Sequence, residues 1–110
     1  MIRHIVLVKF IEGLSNDEIA DMWRELQEIA PKINGLSHIY AGKSESPEQI
    51  ERGYMHGFTV DLDSWEALAA YQDHPDHKAL GARLVANAKG GLDGILVFDL
   101  PFDPSAQPGA

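Results

Sequence analysis

The chain has 110 residues, no cysteine and a formal net charge of -8. This length suits one hydrophobic core, and the missing cysteines exclude disulfides, thiolate metal ligands and a cysteine nucleophile. The basic residues are scattered along the sequence, so we expect no nucleic-acid partner. No apolar run approaches the roughly 20 residues of a membrane span, and the amino terminus does not resemble a signal peptide. We therefore expect no membrane association and a cytoplasmic location.

The first half of the chain predicts a strand, a helix and a second strand. Residues 2–10 are almost continuously apolar and β-branched, which indicates the first strand. Ser15 stands three residues before Glu18, the spacing of a capping box, and apolar residues then recur with helical period over residues 16–30. After a proline and a glycine, residues 36–43 indicate the second strand.

The second half repeats this order with an interrupted helix. Residues 53–62 predict the third strand, and Asp63 or Ser64 caps a short helix that Pro75 ends. Pro75 also suits the first turn of a further helix over residues 76–88. Residues 95–98 predict the last strand. The tail over residues 101–110, rich in proline, glycine and alanine, is predicted to be disordered.

The order β-α-β-β-α-β predicts one α+β domain over residues 1–100 with a ferredoxin-like fold. Right-handed crossovers then place the first and third strands side by side at the centre of the sheet. Large apolar residues of these strands, among them Tyr54, share their side with His4 and His56, so we assign that side to the helices. The opposite side keeps apolar residues, and we expect a second copy of the chain to cover it as a homodimer: Ile5, Leu7, Met55, Gly57 and Thr59. The alternative is that these are scattered exposed apolar residues, as on any protein surface, with no partner covering them.

The histidines offer the clearest candidate chemistry. His38 lies near a strand edge, where we expect it to be solvated, and His77 closes the run Tyr71-Gln72-Asp73-His74-Pro75-Asp76-His77. With Pro75 starting a helix, His77 falls in the first turn, where the helix dipole disfavours the imidazolium and favours a neutral base. The acidic residues of the run oppose this effect, so the sequence leaves the protonation state of His77 open.

Several segments together resemble the stress-responsive A/B barrel domain family. They are Ile2-Arg3-His4-Ile5-Val6-Leu7-Val8-Lys9-Phe10, Arg52-Gly53-Tyr54-Met55-His56-Gly57, Ala70-Tyr71-Gln72-Asp73-His74-Pro75-Asp76-His77 and the closing Val97-Phe98-Asp99. The resemblance spans about residues 1–100, and motifs found in this order are more specific than any one alone. It implies a dimeric α/β barrel in which two ferredoxin-like protomers pack sheet to sheet, with a pocket between each sheet and its helices.

The resemblance also implies which residues serve the site. Polyketide cyclases of that family use a tyrosine and the last histidine of the H-P-x-H run, which correspond to Tyr71 and His77 as catalytic residues. Histidines of the first and third strands line the pocket and correspond to His4 and His56. The predicted ligand-binding set also includes three bulky side chains, Phe58, Trp23 and Leu26.

This set is chemically coherent as a cofactor-independent cyclase, isomerase or lyase acting on a small carbonyl or polyketide-like compound. A neutral His77 removes a proton next to a carbonyl, while Tyr71 holds that histidine or donates to the developing oxyanion. We expect no cofactor and no metal. The H-P-x-H run is widespread in the family, so it does not by itself establish an enzyme.

The alternatives are structural or non-catalytic. His77 can instead bond backbone at the helix junction, His74 can simply precede a proline, and His4 with His56 can form one core pair. The protein can then be a stress-response or small-molecule-binding homodimer without catalysis. A three-histidine metal site is disfavoured because no carboxylate of matching parity orients the rings. Haem or oxygen chemistry is a weaker possibility.

Overall fold

Four strands and three helices form the domain, and the computed structural model describes residues 1–106; residues 107–110 of the predicted tail lie outside the described residues. The elements are β1 (Ile2–Val8), α1 (Asn16–Ile29), β2 (Leu36–Lys43), β3 (His56–Leu62), α2 (Trp65–Asp73), α3 (Pro75–Asn87) and β4 (Ile95–Pro101). The strands pair antiparallel in the order β2-β3-β1-β4. This is the ferredoxin-like α+β fold, as predicted, with β1 and β3 at the centre. None of the described helices has the length and apolar character needed to cross a membrane.

Polar side chains set the helix starts as the sequence indicates. Ser15 Oγ and Ser64 Oγ each accept a hydrogen bond from a backbone N–H in the first turn of α1 and α2. Pro75 begins α3, where its missing N–H costs nothing. His74 does more than precede this proline, because its Nδ1 accepts a hydrogen bond from the Asp76 N–H at 3.1 Å. The N-cap of α3 is therefore a histidine.

β3 begins at His56 rather than at residue 53 as predicted. Arg52 has φ 58° and Gly53 has φ 92°, a left-handed conformation that no strand residue adopts. Tyr54 consequently lies in the turn before the strand, where its hydroxyl donates to the Asp93 carbonyl at 3.3 Å. The predicted place of Tyr54 on the helix-facing side of β3 is wrong.

The C-terminal ends of β1 and β4 also differ from prediction. β1 ends at Val8, and Phe10 forms an isolated bridge with Ala88. β4 continues to Pro101, and the Phe102 N–H donates to the Met1 carbonyl at 2.9 Å. The chain therefore stays attached to the sheet beyond residue 100, the predicted end of the domain.

One side of the sheet packs against the helices and forms the core. His4 and Val6 of β1 are buried on this side, as are Phe58 and Val60 of β3. The helices contribute the residues that face them: Ile19, Met22, Leu26, Ile29, Ala67, Leu68, Tyr71, Leu80 and Leu84. The predicted alternation of β1 and β3 is thus confirmed.

The other side of the sheet, here called the outer face, is apolar and uncovered. Cross-strand pairing aligns Ile5 with Phe98 and Leu7 with Leu96. Phe98 is 62% exposed. A charged pair sits beside these residues, since Arg3 donates to both carboxylate oxygens of Asp61. The outer face thus combines large exposed apolar side chains on neighbouring strands.

Candidate functional site

The predicted aromatic site residues lie on the helix-facing side in one continuous series of ring contacts. Ring centroids are 4.5 Å apart between His77 and Tyr71 and 5.7 Å apart between Tyr71 and His4. The series continues from His4 to Phe58 at 6.4 Å and from Phe58 to Trp23 at 5.7 Å. Trp23 then contacts Phe10, and Phe10 contacts His56, where the series ends. The predicted catalytic pair and His56 therefore occupy opposite ends of the series.

His77 lies in the first turn of α3 and is half-buried. Its Nδ1 is 3.0 Å from the Gln72 carbonyl oxygen, and because a carbonyl only accepts, Nδ1 carries the hydrogen. Burial lowers the pKa of His77 below its ordinary 6.5, the bond to Gln72 opposes this shift, and the nearby His4 and His74 reinforce it. The ring is therefore neutral near pH 7, with Nε2 free to accept a proton.

The hydroxyl of Tyr71 is the exceptional polar atom of the core. The Tyr71 side chain is 0% exposed, and its hydroxyl has no hydrogen-bond partner among the described residues. Leaving such a group unpaired costs about 1–3 kcal/mol, so native proteins nearly always satisfy it. Burial also raises the pKa of Tyr71, which keeps the hydroxyl protonated. It is a buried hydrogen-bond donor without an acceptor among residues 1–106.

His4 has a carboxylate partner that was not predicted from the sequence. Asp99 of β4 lies opposite His4 of β1, and its Oδ1 is 2.6 Å from the His4 Nδ1. The expectation that no carboxylate of matching parity orients the rings is therefore wrong. Nδ1 donates to the carboxylate, which leaves Nε2 of His4 as the second nitrogen of the ring available for proton transfer.

The signal for Asp99 was present in the sequence. The last strand was predicted to end at residue 98, which left Asp99 outside it. In β4, Ile95, Val97 and Asp99 alternate on the helix-facing side, opposite Val8, Val6 and His4 of β1. Extending the alternation by one more residue would have placed the carboxylate.

The edge of the sheet at β4 is open to solvent. Val97 pairs with the buried Val6 of β1, and both lie on the helix-facing side of the sheet. Val97 is nevertheless 57% exposed, and the Asp99 side chain is 28% exposed. The reason is that α2 lies over β1 and β3 and leaves β4 largely uncovered. Solvent therefore reaches the Asp99 carboxylate from the β4 side, while His4 stays buried.

The bulky residues of the predicted ligand-binding set belong to the packed core. Leu26 is fully buried and Phe58 nearly so, and Trp23 is partly buried against the core. The edge of Trp23 meets the Phe58 ring. These side chains fill the middle of the layer between sheet and helices, and they separate the two ends of the ring series.

His56 does not join the other site residues. It pairs with Val8, whereas His4 pairs with Val60, so the two histidines stand at different levels of the sheet. They do not form the core pair considered above, because His4 is held by Asp99. A metal site of His4, His56 and His77 does not form either, and residues 1–106 contain no group of three or more metal-ligating side chains placed to hold an ion. Of the predicted histidines and tyrosine of the site, the structure brings together His77, Tyr71 and His4 and leaves His56 apart.

Comparisons of sequence identify the family of this chain. The family described as Stress responsive A/B Barrel Domain matches residues 2–102. A stress-response A/B barrel domain-containing protein of Arabidopsis thaliana is 30% identical over 98 residues, covering 89% of this chain and 86% of the relative. An olivetolic acid cyclase of Cannabis sativa is 24% identical over 80 residues, covering 73% of this chain and 79% of the cyclase.

Comparisons of structure point the same way. A dimeric ferredoxin-like protein of unknown function from Jannaschia sp. CCS1 superposes with a TM-score of 0.86 at 34% identity, covering 92% of this chain and 98% of that one. A hydroxynitrile lyase from Passiflora edulis has a TM-score of 0.80 at 15% identity and covers 96% of each chain, which shows a shared fold. The chain belongs to the stress responsive A/B barrel domain family.

Proposed function

We propose that this chain is a cofactor-independent acid–base catalyst of the cyclase, isomerase or lyase type, acting on a small carbonyl or polyketide-like compound. The observation that carries the proposal is the buried Tyr71 hydroxyl, which lacks a partner among the described residues and belongs to a ring that contacts both His4 and His77. The olivetolic acid cyclase relative, named for a cyclisation, supports this reaction class.

Each group has a distinct role in the proposed reaction. The neutral His77 takes a proton at Nε2 from the carbon next to a carbonyl, and the electron pair moves onto the carbonyl oxygen. The protonated Tyr71 hydroxyl donates a hydrogen bond to that oxygen as negative charge develops there. His4, held by Asp99, packs against the Tyr71 ring and helps to fix the position of its hydroxyl.

The expected contributions are sizeable. A positioned general base contributes about 10²–10⁴-fold to a rate, and one oxyanion donor about 10²–10³-fold. The buried position of Tyr71 strengthens its hydrogen bond to a developing anion, because little water competes there.

The proposal includes a homodimer formed through the outer face. Leu7, Leu96 and Phe98 expose apolar surface on neighbouring strands of this face. Exposed apolar patches of this kind mark interaction sites. The Jannaschia relative is described as dimeric, which supports a second copy as the partner. The proposed dimer contact and the His77–Tyr71–His4 cluster lie on opposite sides of the sheet, so one does not obstruct the other.

Exchange of hydrogen for deuterium tests the proposed catalysis without knowledge of the natural substrate. The chain is incubated in D2O with a panel of β-diketones and β-keto esters, and loss of the α-proton signal is followed by NMR. We expect exchange above the buffer rate for at least one compound. His77→Ala reduces it to the buffer rate with the circular dichroism spectrum retained, whereas the exposed Lys78→Ala does not. Undiminished exchange in His77→Ala would remove His77 from the mechanism.

A non-catalytic stress-response or small-molecule-binding homodimer is the second candidate function. The packed core favours the stress-response role, which needs no pocket, since Phe58, Trp23 and Leu26 fill the layer beside the cluster. Binding without catalysis would appear as shifts of the Tyr71 and His77 NMR signals on adding a carbonyl compound whose α-protons do not exchange. The same experiment therefore separates the two candidates.

A further inference from the structure

A second cleft lies at the far end of the ring series, away from Tyr71 and His77. It occupies about 250 Å³ where α1 begins, on the helix-facing side of the sheet. Its apolar walls include Phe10, Leu14, Ile19 and Met55, and its basic residues are Lys43 and His56. This volume is below the roughly 300–1,000 Å³ of sites for drug-sized ligands, so it suits a ligand on the order of ten non-hydrogen atoms.

The two basic residues of the cleft are direct neighbours. Lys43 of β2 pairs with His56 of β3, and cross-strand partners place their side chains on the same side of the sheet. Lys43 takes part in none of the salt bridges formed within residues 1–106. Burial lowers the pKa of His56, and the Lys43 charge lowers it further. A negative charge placed between them would relieve this repulsion.

The acidic groups nearby do not already serve that purpose. Glu45 and Glu51 line a separate surface depression that also includes Lys43. The carboxylate of Glu51 accepts a hydrogen bond from the Ser44 hydroxyl at 2.6 Å, so it already has a partner. The chain has a net charge of -8, and the Lys43–His56 pair is an exception to it, since two basic side chains are neighbours here with apolar walls beside them.

We propose that this cleft binds the carboxylate of a small amphipathic acid, with the carboxylate between Lys43 and His56 and the hydrocarbon portion against Phe10, Leu14 and Ile19. An inorganic anion would gain nothing from these apolar walls, and a neutral apolar molecule would leave the two basic groups unpaired. The site does not depend on the proposed catalysis, because Phe58 and Trp23 lie between His56 and the His4–Tyr71 pair in the series of ring contacts.

Octanoate is a suitable probe, since it has the expected size and one carboxylate. Titration of the full chain, followed by NMR and calorimetry, should shift the signals of Lys43, His56 and Met55 and raise the measured pKa of the His56 ring. The neutral isostere octanamide should bind about tenfold more weakly or worse, as expected for loss of a charge-assisted hydrogen bond.

Variants separate this site from the catalytic proposal. Lys43→Gln should weaken octanoate binding about tenfold, Lys43→Arg should retain it, and the exposed Lys78→Gln should leave it unchanged. Tyr71→Phe should also leave octanoate binding unchanged, even where it stops α-proton exchange. Equal binding of octanoate and octanamide, shifts confined to Tyr71 and His77, or no binding at millimolar octanoate would each overturn the proposal.

Discussion

His4 and Asp99 face each other across β1 and β4, with the ring Nδ1 2.6 Å from the carboxylate Oδ1. A carboxylate held against one ring nitrogen fixes the orientation and tautomer of a histidine and leaves the other nitrogen for chemistry. His77 obtains the same effect from a backbone carbonyl, that of Gln72. The two rings on either side of Tyr71 are therefore each oriented through Nδ1.

Replacing Asp99 by Asn keeps the shape and an acceptor oxygen but removes the charge that holds His4. We expect Asp99→Asn to reduce α-proton exchange about 10–100-fold, as is typical when a group that orients a functional histidine is lost. The His4 Nδ1–H signal in nitrogen-15 NMR should shift while the remaining backbone spectrum is retained. Asp73→Asn, an exposed substitution at the end of α2, serves as the control. Full activity of Asp99→Asn would show that the pair is structural.

Replacing Tyr71 by Phe removes only the buried hydroxyl. Because this hydroxyl has no partner within the described part of the chain, its removal should leave the free energy of unfolding unchanged or raise it by about 1 kcal/mol, measured by urea denaturation. The same variant should lose α-proton exchange. A loss of stability above about 1 kcal/mol would mean that the hydroxyl is satisfied in the folded chain, which would weaken its assignment as a free donor.

The depressed pKa of His77 predicts how the exchange rate and the stability depend on pH. Only the neutral ring accepts a proton, so the rate should rise with pH and reach half its maximum below pH 6.5, the ordinary pKa of histidine. Between the depressed pKa and about 6.5 the unfolded chain binds more protons than the folded chain. Stability should therefore be fully present above about pH 6.5 and fall as the pH drops through that window.

Two variants separate the histidines in this pH experiment. The pKa of His56 is also lowered by burial, so both rings contribute to the fall in stability. His56→Gln should reduce the pH dependence of stability without moving the pH profile of exchange, whereas His77→Gln should affect both. A rate profile with its midpoint above pH 6.5 would speak against His77 as the base.

Adjacent residues of β4 provide a matched test of the outer face. Phe98 and Val97 are similarly exposed, at 62% and 57%, but they lie on opposite sides of the sheet. Phe98→Lys places a charge on the outer face and should convert a dimer into a monomer in light scattering at micromolar concentration. Val97→Lys should leave the dimer intact. A monomeric wild-type chain, or a dimer that survives Phe98→Lys, would contradict the proposed contact.

The fold could be predicted from local patterns because most of its signals are short in sequence. Alternation over β1, the serine cap of α1 and Pro75 at the start of α3 each act within a few residues. The start of β3 was missed because Arg52 adopts a left-handed conformation that is unusual for a side chain of its size. Propensity alone does not reveal such a turn.

The candidate site was only partly predictable, since it depends on register between distant strands. Tyr71 and His77 share one short segment, and the sequence placed them together. The Asp99–His4 bond joins residues 95 positions apart, and the separation of His56 from His4 follows from pairing with Val8 rather than Val60. The alternation along a strand shows on which side of the sheet a residue lies. Its position along the sheet, and so its neighbours on the next strand, follows only from how the strands pair.

A double-mutant cycle on α-proton exchange tests the central claim, that Tyr71 and His77 act as one acid–base unit. The exchange rates of wild type, Tyr71→Phe, His77→Ala and the double variant are compared on one substrate. If the two groups act in the same step, each single substitution lowers the rate at least about 100-fold and the double variant is scarcely slower than the poorer single one. The account would be contradicted if the fold-losses of the two single variants multiplied in the double variant. It would also be contradicted if either single variant kept the wild-type exchange rate.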